Sequence, residues 1–133
     1  MKPKTITKSK AKKKAWKEFS TYIRLKHADE LGNVLCYTCS KLMPWNESQA
    51  GHGISGRLNA VLFMEEVVRP QCRGCNIFAR GRQSIFTMKL IEEMGMRKYK
   101  LLVEEANQTV QYKVNDYIEL ARFFKEQHEK LLS

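Results

Sequence analysis

Cys36-Tyr-Thr-Cys39, Gln49-Ala-Gly-His52 and Gln71-Cys72-Arg-Gly-Cys75-Asn76 are the three segments that decide the fold of this chain. All four cysteines lie here, in two Cys-x-x-Cys pairs, and 32 residues separate the first pair from the second. Zinc prefers four ligands at the corners of a tetrahedron, and each pair can place two thiolates on one side of the ion. The spacing therefore predicts a closed structural zinc site that joins two distant segments, in preference to a redox dithiol or unrelated buried cysteines.

The net charge of +10 is concentrated in two places. Residues 1–17 contain eight lysines and no acidic residue, and residues 40–82 carry six basic and three acidic side chains. From Gln83 onward, eight basic residues balance eight acidic ones. This distribution predicts a polyanionic partner and favours nucleic acid. A solvated lysine tail that only aids solubility is the alternative.

The compartment follows from what the chain lacks. No apolar run among the 133 residues is long enough to span a bilayer, so no membrane partner is expected. The lysine-rich N-terminus has no apolar segment of the kind that a secretory signal requires, which predicts a cytoplasmic protein. In a reducing compartment, paired cysteines bind metal more often than they form disulfides.

The length and the apolar pattern predict a mostly helical α+β fold. We expect a disordered basic arm over residues 1–10 and a single domain over residues 11–133. This domain divides into an N-terminal helix over 11–31, a zinc module over 34–82 and C-terminal helices over 84–133.

Local signals inside the zinc module predict its order of elements. The polar, glycine-rich segment 46–56 around His52 is typical of a loop. Val67-Val68-Arg69 is expected to form a strand that ends at the following proline, and a helix is expected to begin at Cys72. Segment 59–64 is ambiguous between strand and loop.

The flanking helices show apolar residues at helical spacing. Trp16 and Phe19 lie on the apolar stripe of the first helix, where we expect them to pack in the core and not to stack on bases. Gly95 is expected to end the helix that follows the zinc module, and Asn115 is expected to cap the last helix.

His52 and Asn76 are the candidate catalytic residues. Zinc would hold the loop of His52 against the helix that begins near Cys72, so that Asn76 faces His52 across a small gap. A neutral imidazole beside a divalent cation can take a proton from water, and the cation stabilises charge on a phosphate. Asn76 would bind that cation through its amide oxygen or orient the histidine. A zinc module that binds DNA without catalysis fits the spacing equally well.

Four features together resemble the phage NinG family, also called Rap. They are Gln49-Ala-Gly-His52, Gln71-Cys72-x-x-Cys75-Asn76, Gly81 and a helix ending at Gly95. This is a family of recombination endonucleases that act on Holliday junctions. The arrangement is also similar to the wider HNH, or ββα-metal, nucleases, which are built on a treble-clef zinc fold. The match is close over residues 34–95 and weaker in the flanking helices.

The resemblance implies a role for each matching residue. The implied ligands of structural Zn²⁺ are Cys36, Cys39, Cys72 and Cys75. His52 is implied to be the general base that activates water, and His52 and Asn76 are implied to hold a catalytic Mg²⁺ or Mn²⁺. Cleavage by such nucleases leaves a 5′-phosphate and a 3′-hydroxyl.

Two positions depart from the family pattern. Some relatives carry an acidic metal ligand just before the histidine, where this chain has Gln49 and Gly51. The later Gly-Asn of the family falls on Gly81 and Arg82, so that asparagine is missing. Both departures leave the implied catalytic metal with fewer ligands.

Basic residues around the module and in the first helix are expected to contact DNA. Arginine suits bidentate phosphate binding, and lysine adds salt-dependent affinity for any duplex. The predicted contacts are Lys12, Lys13, Lys14, Arg57, Arg73, Arg80 and Arg82. Arg69, in contrast, is expected to be a solvated surface charge. Recognition of branched double-stranded DNA would depend on shape and phosphate position, not on base sequence.

Residues and resemblance together predict an HNH-type metal-dependent endodeoxyribonuclease. It would cleave branched DNA, such as Holliday junctions and D-loops, during phage recombination in the cytoplasm of an infected or prophage-carrying bacterium. The alternatives are a zinc-stabilised DNA-binding protein without hydrolytic activity and a protein-interaction module that uses the neutral C-terminal helices. A homodimer is expected only by analogy with junction enzymes that cut two strands.

Overall fold

Helices account for most of the chain in the computed structural model, which describes residues 5–55 and 58–132. In these ranges the α-helices are α1 Lys8–Lys26, α2 Leu58–Leu62, α3 Gln83–Met94, α4 Met96–Ala106 and α5 Val114–Leu132. The strands are β1 Asn33–Leu35, β2 Leu42–Pro44, β3 Gln49–His52 and β4 Val68–Gln71. A π-helical turn covers Gly74–Phe78, and 3₁₀ turns cover Trp45–Glu47, Glu65–Val67 and Arg80–Arg82. The predicted mostly helical α+β class is confirmed.

Helix α1 begins inside the predicted arm. Thr7 caps it, since Thr7 Oγ1 accepts a hydrogen bond from the Lys10 backbone N–H at 3.2 Å. Lys8–Lys10 are therefore helical, and residues 5–7 have no regular structure. The prediction for residues 1–4 lies outside the described residues.

Helix α1 also ends early, at Lys26 instead of residue 31. Asp29 Oδ1 accepts hydrogen bonds from the backbone N–H groups of Leu31 and Asn33, both at 2.9 Å. Such side-chain bonds offer the backbone an alternative to the helical pattern, so the chain turns here. Gly32, with a φ of +78°, completes the turn into β1.

Two antiparallel two-stranded sheets form the module. β1 pairs with β2, and β3 pairs with β4 in a register that puts Gln49 opposite Gln71 and His52 opposite Val68. The prediction of a loop over 46–56 is therefore wrong at β3. The two central residues of β3 are small and buried, which lets other elements approach both faces of the strand. As a result, the segment lacks the alternation of apolar and polar residues by which a strand is recognised in a sequence.

Strand β4 extends through Pro70, where the sequence predicts its end. The Pro70 carbonyl accepts a hydrogen bond from the Tyr37 backbone N–H at 2.9 Å, so this residue directs its backbone groups away from β3. The missing N–H of the proline therefore costs no hydrogen bond between β3 and β4.

One face of the β3–β4 sheet packs against the helix pair α1–α5. Phe19 and Ile23 of α1 and Phe124 of α5 form a cluster with Ala50 and Val68 of the sheet. Phe19 is fully buried, which confirms its predicted place in the core.

Helices α3 and α4 pack on the opposite side of the module. Their buried cluster comprises Ile54, Val61, Met64, Val67, Phe86, Leu90, Leu102 and Ala106. The ambiguous segment 59–64 lies largely in helix α2, which supplies Val61 to this cluster. The sheet is thus enclosed between the two sets of helices.

The C-terminal helices follow the predicted periodicity. Gly95 ends α3 with a φ of +87°. Helix α5 begins at Val114, so Asn115 is not its cap. Instead, Asp116 Oδ2 accepts a hydrogen bond from the Lys113 backbone N–H at 2.7 Å and caps the helix from within its first turn. In the described part of the chain, no helix combines the length and apolar character needed to cross a bilayer.

Candidate metal centre and adjoining pocket

The four cysteines come together as the spacing predicts. Their Sγ atoms all lie within 4.8 Å of one another, and Cys39 Sγ is 3.7 Å from Cys72 Sγ. Thiolates placed 2.3 Å from a central zinc at tetrahedral corners lie about 3.8 Å apart. Cys36 and Cys39 come from the turn after β1, whereas Cys72 and Cys75 come from the end of β4 and the π-helical turn. The cluster therefore fits one metal ion such as zinc.

Neighbouring groups favour the thiolate form at Cys36 and Cys75. At Cys39, a hydrogen bond from the Lys41 backbone is outweighed by burial and by the other three cysteines, which raise the pKa to about 12. Cys75 Sγ accepts a hydrogen bond from Arg82 Nε at 3.2 Å, and Cys36 Sγ lies 3.6 Å from Thr38 Oγ1. Burial acts to raise the pKa of the Cys36 thiol, but hydrogen bonds from the Cys72 backbone and from Thr38 outweigh it and lower the pKa to about 6. Arg82 is exposed, and its Nε is directed at the cysteine cluster.

Asn76 lies in the π-helical turn, directly after Cys75, and its amide is held by β3. Asn76 Nδ2 donates a hydrogen bond to Gln49 Oε1 at 2.9 Å. A Cβ added at Gly51 would lie 3.1 Å from Asn76 Oδ1. The asparagine therefore lies over Gly51, the residue directly before His52.

Gln71 fills the space that a side chain at position 51 would need. It is fully buried, and its Nε2 donates to Thr38 Oγ1 at 3.0 Å and to the Gly81 carbonyl at 2.9 Å. These two acceptors fix the direction of the amide, so Oε1 faces Gly51, where it would lie 1.9 Å from an added Cβ. Gln71 Oε1 has no hydrogen-bond partner among the described residues. Gly51 cannot be replaced by a larger residue unless Gln71 moves.

His52 lies at the end of β3 with a defined tautomer. Its Nε2 is 3.2 Å from the Leu62 carbonyl oxygen, which can only accept, so Nε2 carries the proton and Nδ1 keeps its lone pair. The ring of Trp16 stacks on the imidazole at 5.2 Å between centroids and 20° between planes. Burial lowers the pKa of His52, partly offset by the bond to Leu62. The imidazole is therefore neutral at neutral pH.

The structure does not place His52 and Asn76 face to face. Side chains alternate along a strand, so His52 shares the α1 face of β3 with Ala50, whereas Asn76 lies over Gly51 on the other face. The two side chains therefore do not share the expected small gap, because His52 belongs to a strand and not to a loop. Trp16 links the two sides, because it stacks on His52 and also lines a cavity with Asn76.

This cavity has a volume of about 320 Å³ and lies between α1, β3 and the π-helical turn. Arg24 is the charged residue among the described side chains that line it. Arg24 Nε donates to the Ser20 carbonyl at 3.1 Å, and its guanidinium lies 5.3 Å from the centroid of the Trp45 ring. Burial lowers the pKa of Arg24. Sequence reasoning missed this role, although Trp16, Ser20 and Arg24 recur every four residues and so share one face of α1.

The predicted DNA contacts other than Arg82 fall into three groups. Lys13 and Lys14 are exposed on α1, whereas Lys12 Nζ is 3.2 Å from Asn59 Oδ1 and is half-buried. Arg73 and Arg80 are exposed beside the cysteine cluster. Arg57 lies outside the described residues.

Arg69 is not the solvated charge that the sequence predicts. It is 7% exposed, and its guanidinium donates to the Val68 carbonyl at 2.9 Å and to Glu93 Oε1 at 3.2 Å. It also lies 5.5 Å from the centroid of the Tyr37 ring. Position 69 pairs with Gly51 in the sheet, and this inward place in the fold cannot be read from composition.

The comparisons with known proteins give one match. A family model described as Bacteriophage Lambda NinG protein matches residues 2–132. No curated protein and no solved structure matches the chain.

Proposed function

The chain belongs to the NinG family of phage proteins, and from this premise we propose that it is an HNH-type endonuclease that cleaves branched DNA during phage recombination. The observation that carries the proposal is the cysteine cluster, which fits one zinc ion and fastens the turn of Asn76 beside the strand of His52. Holliday junctions and D-loops are the proposed substrates. On this proposal the module is a treble clef.

Zinc has a structural role in this proposal. Four thiolates complete its coordination sphere, so the ion has no open position for water or phosphate. Its contribution is to hold β1, the end of β4 and the π-helical turn in one rigid unit. Chemistry then depends on the side chains mounted around it.

His52 supplies the general base. The bond from Nε2 to the Leu62 carbonyl leaves the Nδ1 lone pair as the acceptor of a proton from water, and the lowered pKa keeps it available near neutral pH. Trp16 stacks on the ring and restricts its rotation. Trp16 is therefore a positioning residue for the base.

Asn76 Oδ1 is the proposed protein ligand for a catalytic Mg²⁺ or Mn²⁺. Such an ion, when bound, would stabilise negative charge on the phosphate and on the leaving oxygen. Amide oxygens are hard donors that suit these cations, but they are neutral, and magnesium sites usually include carboxylates together with substrate phosphates. Here DNA phosphates would supply the missing charge. The His52 imidazole and the Asn76 amide would then act on a phosphate at the end of β3, each from a different side of the strand.

Positive side chains hold the DNA. Arg24 places its charge in the cavity beside Asn76, while Arg73 and Arg80 project from the surface around the cysteine cluster. The lysines of α1 add affinity that falls as salt concentration rises. Branched DNA offers phosphates from several arms at once, which such a divided set of charges can contact together.

A second function is favoured by one specific observation. Gln71 occupies the space of the acidic ligand at position 51, so the metal sphere lacks a protein charge. The only group of three or more histidine, cysteine or acidic side chains placed to hold a metal, among the described residues, is the cysteine cluster. A zinc-stabilised protein that binds branched DNA without hydrolysing it is consistent with this arrangement.

The two functions are separated by cleavage of a synthetic four-way junction in Mg²⁺ or Mn²⁺. We expect wild type to cleave it and His52→Ala to cleave about 10²- to 10⁴-fold more slowly, because the base is lost. His27→Ala, which changes a histidine outside this pocket, is the matched control and is expected to cleave at the wild-type rate. Zinc content and junction affinity are measured for each variant.

Two results would reject the nuclease assignment. Equal cleavage by wild type and His52→Ala would remove the general base from the scheme. Tight junction binding by zinc-loaded wild type without cleavage, at any concentration of either cation, would establish the second function.

A further inference from the structure

Two apolar side chains next to the candidate site project into solvent. Phe78 is 75% exposed and Ile77 is 50% exposed, at the end of the π-helical turn that also carries Asn76. Neither belongs to a buried cluster among the described residues. Exposed apolar groups that lie together beside a functional site mark a contact surface more often than scattered ones do.

The turn that presents Phe78 is held at several points. The Asn76 backbone N–H donates to the Cys72 carbonyl at 2.9 Å, and that of Ala79 donates to the Gly74 carbonyl at 2.8 Å. Cys75, inside the same turn, is one of the four clustered cysteines. The backbone that carries the ring is therefore fixed before binding and loses little conformational freedom on contact.

The surroundings of Phe78 are cationic. The Arg73 guanidinium lies 5.7 Å from the centroid of the Phe78 ring. Arg80, two residues after Phe78, is exposed as well. An aromatic ring with cations around it suits a partner that offers both flat apolar faces and negative charge. Nucleic acid has this combination, in its bases and phosphates.

We propose that Phe78, supported by Ile77, inserts at the branch point of DNA and stacks on a base exposed where strands diverge. Arg73 would contact the adjoining phosphate. Unstacking a base in continuous duplex costs free energy, and this cost is smallest for a base that is already unpaired or poorly stacked. Insertion therefore selects branched DNA over linear duplex. The inference rests on the proposed function, since it names how the same site recognises its substrate.

The test is a binding comparison that needs no cleavage. Wild type, Phe78→Ala and Phe123→Ala are titrated with a four-way junction and with a linear duplex of matched sequence, without added magnesium. Phe123, on α5, is 52% exposed and serves as the matched control. We expect Phe78→Ala to weaken junction binding about 5- to 150-fold, the range for one stacked base. Its duplex affinity, and both affinities of Phe123→Ala, should change by less than about 2-fold.

A second comparison separates stacking from a general loss of surface. Wild type and Phe78→Ala are titrated with a set of four-way junctions, each of which lacks one base beside the branch. One of these abasic junctions is expected to bind both proteins equally, because the partner of the ring has been removed. Phe78→Trp is expected to restore tight binding to the intact junction.

Three outcomes would overturn the inference. In the first, Phe78→Ala loses the same affinity for junction and for duplex. In the second, Phe78→Ala weakens binding to every abasic junction as much as binding to the intact one. In the third, sedimentation shows that wild type is a dimer and Phe78→Ala a monomer. The last would mean that a second copy covers the ring. Failure of the nuclease proposal is recognised separately, since it concerns cleavage and leaves these affinities unchanged.

Discussion

The helix pair α1–α5 and the cysteine module are stabilised by different physical means. Phe19, Ile23 and Phe124 bury apolar surface between the helices and against one face of the β3–β4 sheet. The module has only short strands, and its centre is a cluster of four cysteines with a buried amide beside it. The candidate site therefore depends on both regions. His52 lies on the face of the helix pair, whereas Asn76 lies on the face of the module.

Each region contains its own tryptophan, which makes the comparison measurable. Trp45 packs against the cluster that includes Cys36 and Cys72, and Trp16 packs against the cluster of Phe19. Variants with a single tryptophan report on each region separately.

Cys72→Ser is expected to have the largest effect, because it removes one thiolate of the zinc site. Structural zinc contributes on the order of 10 kcal/mol to the folding of small modules. We expect loss of bound zinc and of native Trp45 fluorescence, while far-ultraviolet circular dichroism still shows the helices. Stripping zinc from wild type and restoring it is the control. One zinc per chain and an unchanged Tm in the variant would contradict the assignment.

Phe19→Ala should weaken the helix pair and leave zinc bound. Removal of a fully buried phenylalanine typically costs about 3–5 kcal/mol. We expect this loss in denaturant unfolding followed by Trp16, with zinc content unchanged. Phe123→Ala, at an exposed position of α5, is the matched control and should change stability little. If zinc is released together with the unfolding of the helices, the two regions are one cooperative unit.

Gly51→Asp tests whether Gln71 fills the space beside position 51. The new side chain would overlap Gln71 Oε1, and overpacking of this kind costs about 1–3 kcal/mol. Gln71→Ala in the same chain should relieve the overlap, so the two changes together should cost less than their sum. The double variant should also bind Mn²⁺ more tightly than wild type, because a carboxylate then lies beside Asn76. Strict additivity in unfolding would show that the two residues do not share this space.

A change of pH should have the smallest effect, since one imidazole is involved. The pKa of His52 is lowered by burial, so the unfolded chain takes up its proton first as pH falls. The stability contributed by the neutral ring is therefore complete above about pH 6.5 and declines below it. We expect the stability difference between wild type and His52→Gln to shrink from pH 7 to pH 5, in excess zinc. A constant difference would show that the ring is not held neutral.

Some of this could be predicted from the sequence because local chemistry decides it. Cys-x-x-Cys spacing is enough to bring two pairs of thiols to one point, as the cluster shows. The stripes of α3 to α5 are long and regular, and Gly95 permits the positive φ that ends α3. Membership of the NinG family, suggested by the motifs around His52 and Asn76, is likewise confirmed.

Other features depend on contacts between distant segments and leave no local signal. Strand β3 has four residues, and the small pair at its centre gives no alternating pattern. The place of Gln71 under Gly51 follows from strand register, which single residues do not specify. Arg24 enters the pocket only because α1 lies along β3. Assignments of catalytic, DNA-binding and domain roles stay predictions.

Thr38 has a consequence for how metal supply would govern this protein. Its hydroxyl lies between the Cys36 thiol and the buried amide of Gln71, so a change at either neighbour is felt at the other. By thermodynamic reciprocity, if ordering of the pocket around Gly51 tightens zinc binding, then zinc binding orders that pocket by the same factor. On the proposed function, nucleic acid bound in the pocket and zinc in the cysteine cluster would then stabilise each other's binding. Where zinc is scarce, the proposed substrate would thus help to preserve the folded protein.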